Sequence, residues 1–168
     1  MTKKRIRMFG DPVLREKSSV VKSIDDKTIK LIEDLEDTMR AASGVGFAAN
    51  QLGVLKRVAV VDIGDGLIEL INPEIIKSEG EIEQQEGCLS FYSLGCLIKR
   101  AEKISVITKN LKGKKVKIKT EGLLARAIQH EIDHLNGILI IDHASNEDRR
   151  KILLEMNELR KKYQEEKI

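Results

Sequence analysis

The sequence predicts an α+β fold in which antiparallel sheets pack around a central helix, with a further helix near each end of the chain. Two segments, residues 56–76 and 103–120, alternate apolar and polar residues on both sides of a turn, as β-hairpins do. Residues 121–137 instead repeat their apolar residues every three or four positions, which indicates a helix. The same spacing in residues 23–44 and 146–168 predicts the two outer helices.

The first predicted helix has Ser23 as its N-cap, because a short polar side chain can accept a hydrogen bond from a free N–H group of the first turn. Ile32, Leu35 and Met39 follow at helical spacing, and Gly44 provides a C-terminal stop. This apolar stripe is expected to face the core.

The two predicted hairpins are joined by different turns. The first turns at the sequence Gly64-Asp65-Gly66, and the second turns at Lys112-Gly113. In the second hairpin the lysines alternate with apolar residues, so we expect them on the outer face of the sheet.

The central predicted helix changes from apolar residues to histidines along one face. Leu123, Ala127, His130 and His134 follow at steps of four, three and four, and Gly137 ends the helix. Because the earlier members of this face are apolar, both imidazole rings are expected to point inward.

The last part of the chain contains two predicted elements. Residues 138–142, with the sequence ILIID, are expected to form a strand. The charged final helix has an apolar stripe of Ile152, Met156, Leu159 and Tyr163.

Composition predicts one catalytic domain over residues 1–168, in a soluble cytoplasmic protein. There are only two cysteines, Cys88 and Cys96, and 34% of the residues are charged, which favours a reduced intracellular protein over a disulfide-linked one. The aliphatic runs are much shorter than a membrane span. The net charge of +3 is too small to indicate DNA binding, so neither DNA nor membrane is an expected partner.

The sequence HEIDH, residues 130–134, indicates a catalytic metal site. His130 and His134 lie one helical turn apart, so their ring nitrogens can converge on one metal ion. Glu131 lies beside them and can take a proton from an attacking water and return it to a leaving group. The central helix is therefore the predicted metal-binding helix.

Several side chains could supply a third ligand. Residue Ile140 stands where metzincin proteases have their third histidine, which excludes that family. A small zinc peptidase would use Glu155 or Glu158 of the last helix. A thiolate from Cys88 or Cys96 also suits a metal that keeps one position open, and the more polar surroundings of Cys88 favour it. A non-enzymatic binding module with a closed site would need Cys96 as an added ligand.

Three motifs occur in an order that resembles the bacterial peptide deformylases of the shorter, helix-ended type, and the opening GDPVLR is similar too. The motifs are GVGFAANQ (44–51), EGCLS (86–90) and QHEIDHLNG (129–137). The resemblance implies metal-dependent hydrolysis of the N-formyl group from the formyl-methionine of new polypeptides, with release of formate. It also implies Cys88, His130 and His134 as ligands and Glu131 as the acid and base.

The resemblance also implies roles for the remaining site residues. Gln51 through its side-chain amide and Leu89 through its backbone N–H would donate to the oxygen that becomes anionic in the transition state. The implied substrate-binding residues are Val45, Gly46, Gly87, Arg100, Leu123 and Ala127. Gly46 would let the substrate backbone approach as an added strand, and Arg100 would either pair with Glu86 or contact the substrate.

Three residues depart from the family pattern and are expected to alter the substrate pocket. Arg126 stands where an aliphatic residue is expected and would lie at the pocket rim, while Phe47 replaces leucine and Tyr92 replaces proline. His143 lies outside the motifs and is expected to be structural.

The metal and the macromolecular partners are implied less directly. The resemblance implies one Fe²⁺ per chain as the native ion, with Zn²⁺, Ni²⁺ or Co²⁺ as substitutes. The basic segment 99–119 and the last helix are candidate contact surfaces for the ribosome. The alternative for the basic segment is a solvated sheet edge, where lysines prevent strand pairing between molecules.

Overall fold

The computed structural model describes residues 3–166 and has the predicted α+β fold. The predicted domain 1–168 therefore extends two residues beyond the described part at each end. The helices are α1 (Asp26–Ala41), α2 (Gly122–Leu135), α3 (Ile140–His143) and α4 (Asn146–Glu165). The strands are β1 (Gly46–Ala48), β2 (Val58–Val61), β3 (Ile68–Glu79), β4 (Ile82–Gly87), β5 (Gly95–Arg100), β6 (Lys103–Lys109) and β7 (Lys115–Glu121).

The strands form two antiparallel sheets around α2. Five of them form one sheet in the order β1-β2-β3-β6-β7, and β4 and β5 form a separate two-stranded sheet. Both predicted hairpins are present, as the pairs β2-β3 and β6-β7. The smaller sheet continues into a 3₁₀ turn at Leu89–Phe91, which lies directly before β5 along the chain.

The helices cover the sheets through three buried apolar clusters. The first lies between the five-stranded sheet and α2, and it includes Val106, Ile128 and Leu135. The second joins the two-stranded sheet to α3 and α4, and the third packs α1 against the larger sheet. Burial of this size is the main force that fixes α2 between the two sheets.

Two sequence predictions about element ends are wrong. The N-cap of α1 is Asp25, whose carboxylate accepts a hydrogen bond from the Thr28 N–H at 2.9 Å, and Ser23 lies outside the helix. Asp is as good an N-cap as Ser, so composition alone does not choose between two such residues three positions apart or fewer.

The predicted strand at residues 138–142 is also wrong, because the chain forms the short helix α3 there. The Leu139 N–H donates to the Asp142 carboxylate at 2.8 Å, and this bond closes the first turn. Ile140 and Ile141 both lie in the apolar cluster below α4, so two adjacent buried residues are accommodated without a sheet. An apolar run this short fits a buried helix as well as a strand.

Candidate active site

Three candidate ligands converge between the small sheet and the central helix. Cys88 follows β4 directly, and His130 and His134 project from α2. Their ligand atoms lie within 4.8 Å of one another, and all three side chains are buried. The 3.6-residue helical period brings the two rings together, as the sequence predicts.

The spacing of these atoms fits a divalent metal ion. The Nε2 atoms of His130 and His134 are 3.1 Å apart, and Cys88 Sγ is 3.4 Å from His134 Nε2. Tetrahedral zinc with ordinary bond lengths would place two nitrogens about 3.3 Å apart, and a nitrogen and a sulfur about 3.6 Å apart. Small outward adjustments of these side chains would therefore accommodate one ion.

The two histidines have different surroundings beyond the ligand cluster. His130 Nδ1 lies 2.6 Å from Glu86 Oε1, a contact that leaves Nε2 for a metal. Burial alone would lower the pKa of His130, but its contacts with Cys88 and Glu86 outweigh burial and raise it. Burial lowers the pKa of His134, whose Nδ1 has no hydrogen-bond partner among the described residues. A metal ion would displace the proton that this cluster otherwise holds.

Glu131 is buried beside the ligands, with 3% of its surface exposed. Burial raises the pKa of its carboxyl group to about 7. Its Oε2 is buried and makes no hydrogen bond within the described part of the chain. A carboxyl group that titrates near neutrality, with one oxygen unpaired, is suited to proton transfer.

The side-chain amide of Gln51 is fixed at both ends. Its Oε1 accepts a hydrogen bond from the Ala48 N–H at 3.0 Å, and its Nε2 lies 3.0 Å from Ser90 Oγ. Nε2 is also 3.9 Å from Cys88 Sγ, so the donor end of the amide is next to the candidate ligands. Leu89, the first residue of the neighbouring 3₁₀ turn, lines the same cavity.

A cavity of about 270 Å³ opens beside the cluster. Cys88, His130 and Glu131 contribute to its wall. The implied substrate-binding residues that line it are Val45, Gly46, Gly87, Leu123 and Ala127. A larger cavity of about 630 Å³ lies on the β3-β6-β7 face, and it contains none of the candidate ligands.

Glu86 connects the ligand cluster to two buried arginines. Arg100 makes two hydrogen bonds to the Glu86 carboxylate, at 2.6 and 3.0 Å, and a third bond to Asp133 at 2.5 Å. Although burial alone would raise the pKa of Glu86, His130 and Arg100 hold it well below its usual range. A permanently charged Glu86 keeps the His130 ring in one orientation.

Arg100 and Arg126 are both directed at Glu86. Arg100 does not belong to the cavity wall, so the structure gives the ion pair and not the substrate contact that sequence reasoning left open. The expected exposed rim position for Arg126 is wrong, since only 5% of its surface is exposed. Its guanidinium donates to Glu86 at 2.8 Å and to the carbonyls of Ile98 and Ile82.

The comparisons with known proteins agree with this geometry. The family model described as polypeptide deformylase matches residues 3–150. The chain belongs to the polypeptide deformylase family. It is 54% identical over 138 residues to a peptide deformylase of Carboxydothermus hydrogenoformans, covering 82% of this chain and 91% of that protein. It is 56% identical over 140 residues to one from Halothermothrix orenii, with the same two coverages.

Solved deformylase structures share the fold over nearly the whole chain. A peptide deformylase from Legionella pneumophila aligns with a TM-score of 0.92 at 39% identity, covering 95% of this chain and 96% of that one. One from Synechococcus elongatus, solved in complex with actinonin, aligns with a TM-score of 0.87 at 35% identity, covering 94% and 91%. The predicted family and fold class are therefore confirmed.

The other ligands considered from the sequence do not join the deformylase cluster. Glu155 and Glu158 line a separate groove on α4, so the structure does not bring them to the two histidines. Cys96 is buried in the apolar cluster under α4, and burial raises the pKa of its thiol to about 11. Within residues 3–166 the described ligand group contains Cys88 and neither Cys96 nor a glutamate.

The remaining departures from the deformylase pattern lie away from the ligands. Phe47 is completely buried against α1, and Tyr92 stacks on Tyr163 of α4 with ring centroids 5.1 Å apart. His143 accepts or donates a hydrogen bond at Asp133 Oδ2, 2.8 Å away, outside the cavity. Over residues 3–166, none of the helices combines the length and the apolar character that crossing a bilayer requires.

Sequence reasoning missed Ser90 as a site residue. Its position inside EGCLS was a signal, but a lone serine between a ligand and an aromatic residue suggests no role by itself. In the structure it is completely buried and contacts the Gln51 amide.

Proposed function

We propose that Cys88, His130 and His134 bind one divalent metal ion, with which this chain hydrolyses the N-formyl group of formyl-methionyl nascent peptides and releases formate. Deformylation of nascent peptides is the known function of the polypeptide deformylase family. The observation that supports the proposal best is the convergence of the three ligand atoms beside the buried carboxyl group of Glu131. When bound, the ion polarises the formyl oxygen and lowers the pKa of the attacking water.

Fe²⁺ is the proposed native ion, with Zn²⁺, Ni²⁺ or Co²⁺ as substitutes. One thiolate and two imidazoles form a donor set that suits several of these ions, so the choice of iron rests on the family resemblance. A thiolate ligand is also open to oxidation, and activity that decays in air would support iron.

Glu131 is the proposed acid and base. Because burial raises its pKa to about 7, the carboxyl group can accept a proton from the attacking water and return it at neutral pH. The proton then passes to the nitrogen of the departing peptide, which leaves as an amine. Formate is the second product, so atoms and charges balance over one turnover.

Gln51 and Leu89 are the proposed donors to the anionic oxygen of the transition state. The Gln51 amide nitrogen is held 3.9 Å from Cys88 Sγ, which places this donor next to the metal site before substrate arrives. Donors that need no reorganisation are the most effective kind for this task.

The proposed path of the substrate follows β1 and the apolar cavity. β1 is the edge strand of the larger sheet, so an extended peptide can pair with its free side at Gly46. Val45, Leu123 and Ala127 offer apolar surface for the methionine side chain, and 45% of Val45 and 54% of Leu123 are exposed. Gly87 forms part of the wall on the opposite sheet.

The broader setting is proposed from sequence and charge. We place the chain in the cytoplasm as one catalytic domain, with nascent peptides as substrates. The lysine-rich hairpin of segment 99–119 is a candidate ribosome contact, supported by its charge alone. Co-sedimentation with ribosomes at two salt concentrations would test this contact.

The first experiment measures formate release from formyl-Met-Ala-Ser by protein purified without oxygen, with the metal content determined on each sample. Cys88→Ser should lose both metal and activity. Cys96→Ser is the matched control, because it removes the other buried thiol from outside the cluster, and it should retain both. A metal-loaded wild type that releases no formate would refute the function, and a fully active Cys88→Ser would refute the ligand set.

A further inference from the structure

Ser90 lies between the candidate oxyanion donor and the N-terminal segment. Its side chain is completely buried, and its Oγ is 2.7 Å from the Arg7 carbonyl oxygen and 3.0 Å from Gln51 Nε2. The Arg7 N–H in turn donates to the Gln51 carbonyl oxygen at 2.7 Å. Gln51, Ser90 and Arg7 therefore form a closed ring of three hydrogen bonds.

The chemistry of this ring determines which end of the Gln51 amide faces Ser90. A carbonyl oxygen can only accept, so the single hydroxyl proton of Ser90 must go to Arg7. The Ser90 oxygen then has only lone pairs left for Gln51, and its partner must be the amide NH₂ group. At the other end, the Ala48 N–H can only donate, so it requires the amide oxygen of Gln51.

Both constraints select the same orientation, with NH₂ toward the ligand cluster. The reversed amide would place an oxygen where the transition state develops negative charge, and it would repel the substrate oxygen instead of stabilising it. Electron density seldom distinguishes the two ends of a glutamine amide, whereas this hydrogen-bond pattern does.

We propose that Ser90 is a positioning residue that holds the Gln51 amide in its donating orientation, using the Arg7 carbonyl to direct its own proton. The inference rests on the proposed role of Gln51 as an oxyanion donor. Ser90 itself touches neither the substrate cavity wall nor the proton path of Glu131.

The kinetic test is Ser90→Ala, alone and combined with Gln51→Ala. Ser90→Ala should lower kcat about tenfold with little change in KM, which is less than the loss of 10² to 10³ expected when an oxyanion donor is removed outright. In the Gln51→Ala background the same change should have no further effect on kcat. Equal losses in both backgrounds would overturn the proposal, since Ser90 would then act independently of Gln51.

Ser18→Ala is the matched control for loss of a buried hydroxyl. Ser18 is 4% exposed, and its Oγ has no partner within the described residues. This variant should retain wild-type kcat, KM and metal content. Ser90→Ala should also retain its metal, because Ser90 contributes no ligand atom.

A second measurement separates this proposal from the proposed function. In the ¹⁵N spectrum of the wild type, one proton of the Gln51 side-chain NH₂ group should exchange slowly with solvent, and Ser90→Ala should accelerate that exchange. Rapid exchange of both protons in the wild type would overturn the role of Ser90. A wild type without deformylase activity would instead refute the proposed function and leave this readout intact.

Discussion

Gly46 allows a direct test of how closely the Glu131 carboxyl group must be placed. A β-carbon added at Gly46 would lie closer than 3.0 Å to Glu131 Oε1, and 3.0 and 3.1 Å from its Cδ and Cγ atoms. Carbon atoms in ordinary contact are about 3.5 to 4.0 Å apart, so Gly46→Ala must displace the carboxyl group by about 0.5 to 1 Å. Because Glu131 is buried on all sides, this displacement has no free space to absorb it.

The expected effect is a fall of about 10² in kcat/KM, the size that a displacement of about 1 Å produces in other active sites. Formate release from formyl-Met-Ala-Ser measures it, with metal content and melting temperature determined on the same preparations. Metal content should stay unchanged, because Gly46→Ala meets none of the three ligands. In a Glu131→Ala background, Gly46→Ala should cost nothing more, since the carboxyl group is gone. A Gly46→Ala enzyme with at least half of the wild-type kcat/KM would refute the reasoning.

Three further predictions concern groups around the site. In Cys88→Ser protein the remaining thiol, Cys96, should react with a disulfide reagent at pH 8 only as fast as the protein opens, because burial raises its pKa to about 11; reaction within seconds would contradict its burial. Although burial alone would raise the pKa of Asp142, the Arg15 hydrogen bond lowers it below the ordinary 3.8. The folded state therefore gains stability from this carboxylate above that pH and loses it as pH falls through the lowered pKa. Urea denaturation should show Asp142→Asn less stable than wild type at pH 7, with the difference shrinking below pH 4; a constant difference would exclude the linkage. Arg126→Met should lower the free energy of unfolding by about 2 kcal/mol, because it leaves Glu86 one charged donor short; a change under about 0.5 kcal/mol would show that Arg100 alone suffices.

The parts of the fold that depend on local pattern were predictable from the sequence. Both hairpins follow from alternation around glycine turns, and α2 follows from the steps between Leu123, Ala127, His130 and His134. The convergence of the two histidine rings needs only the helical period. A third ligand from a different sheet could not be found this way, and only the family resemblance distinguished Cys88 from the alternatives.

The predictions that failed depend on packing between distant segments. Arg126 looks like a surface residue in the sequence, yet Glu86 lies 40 positions away and compensates its buried charge. The ILIID segment forms α3 because α4 and β5 cover it, which no window of five residues can indicate. Ser90 gained significance only when the Arg7 carbonyl, 83 residues away, appeared beside it.

The candidate ligands come from two layers of the molecule that share little covalent continuity. Cys88 extends from the two-stranded sheet, while both histidines belong to the helix that packs on the larger sheet. An ion bound to all three would join these layers as a cross-link, and its binding free energy would count toward the stability of that junction. The grip between the layers would then vary with the free metal concentration, about 1.4 kcal/mol for each tenfold change once the ion is in excess. How firmly this protein holds its shape would thus be set by the metal supply of its surroundings as well as by its own residues.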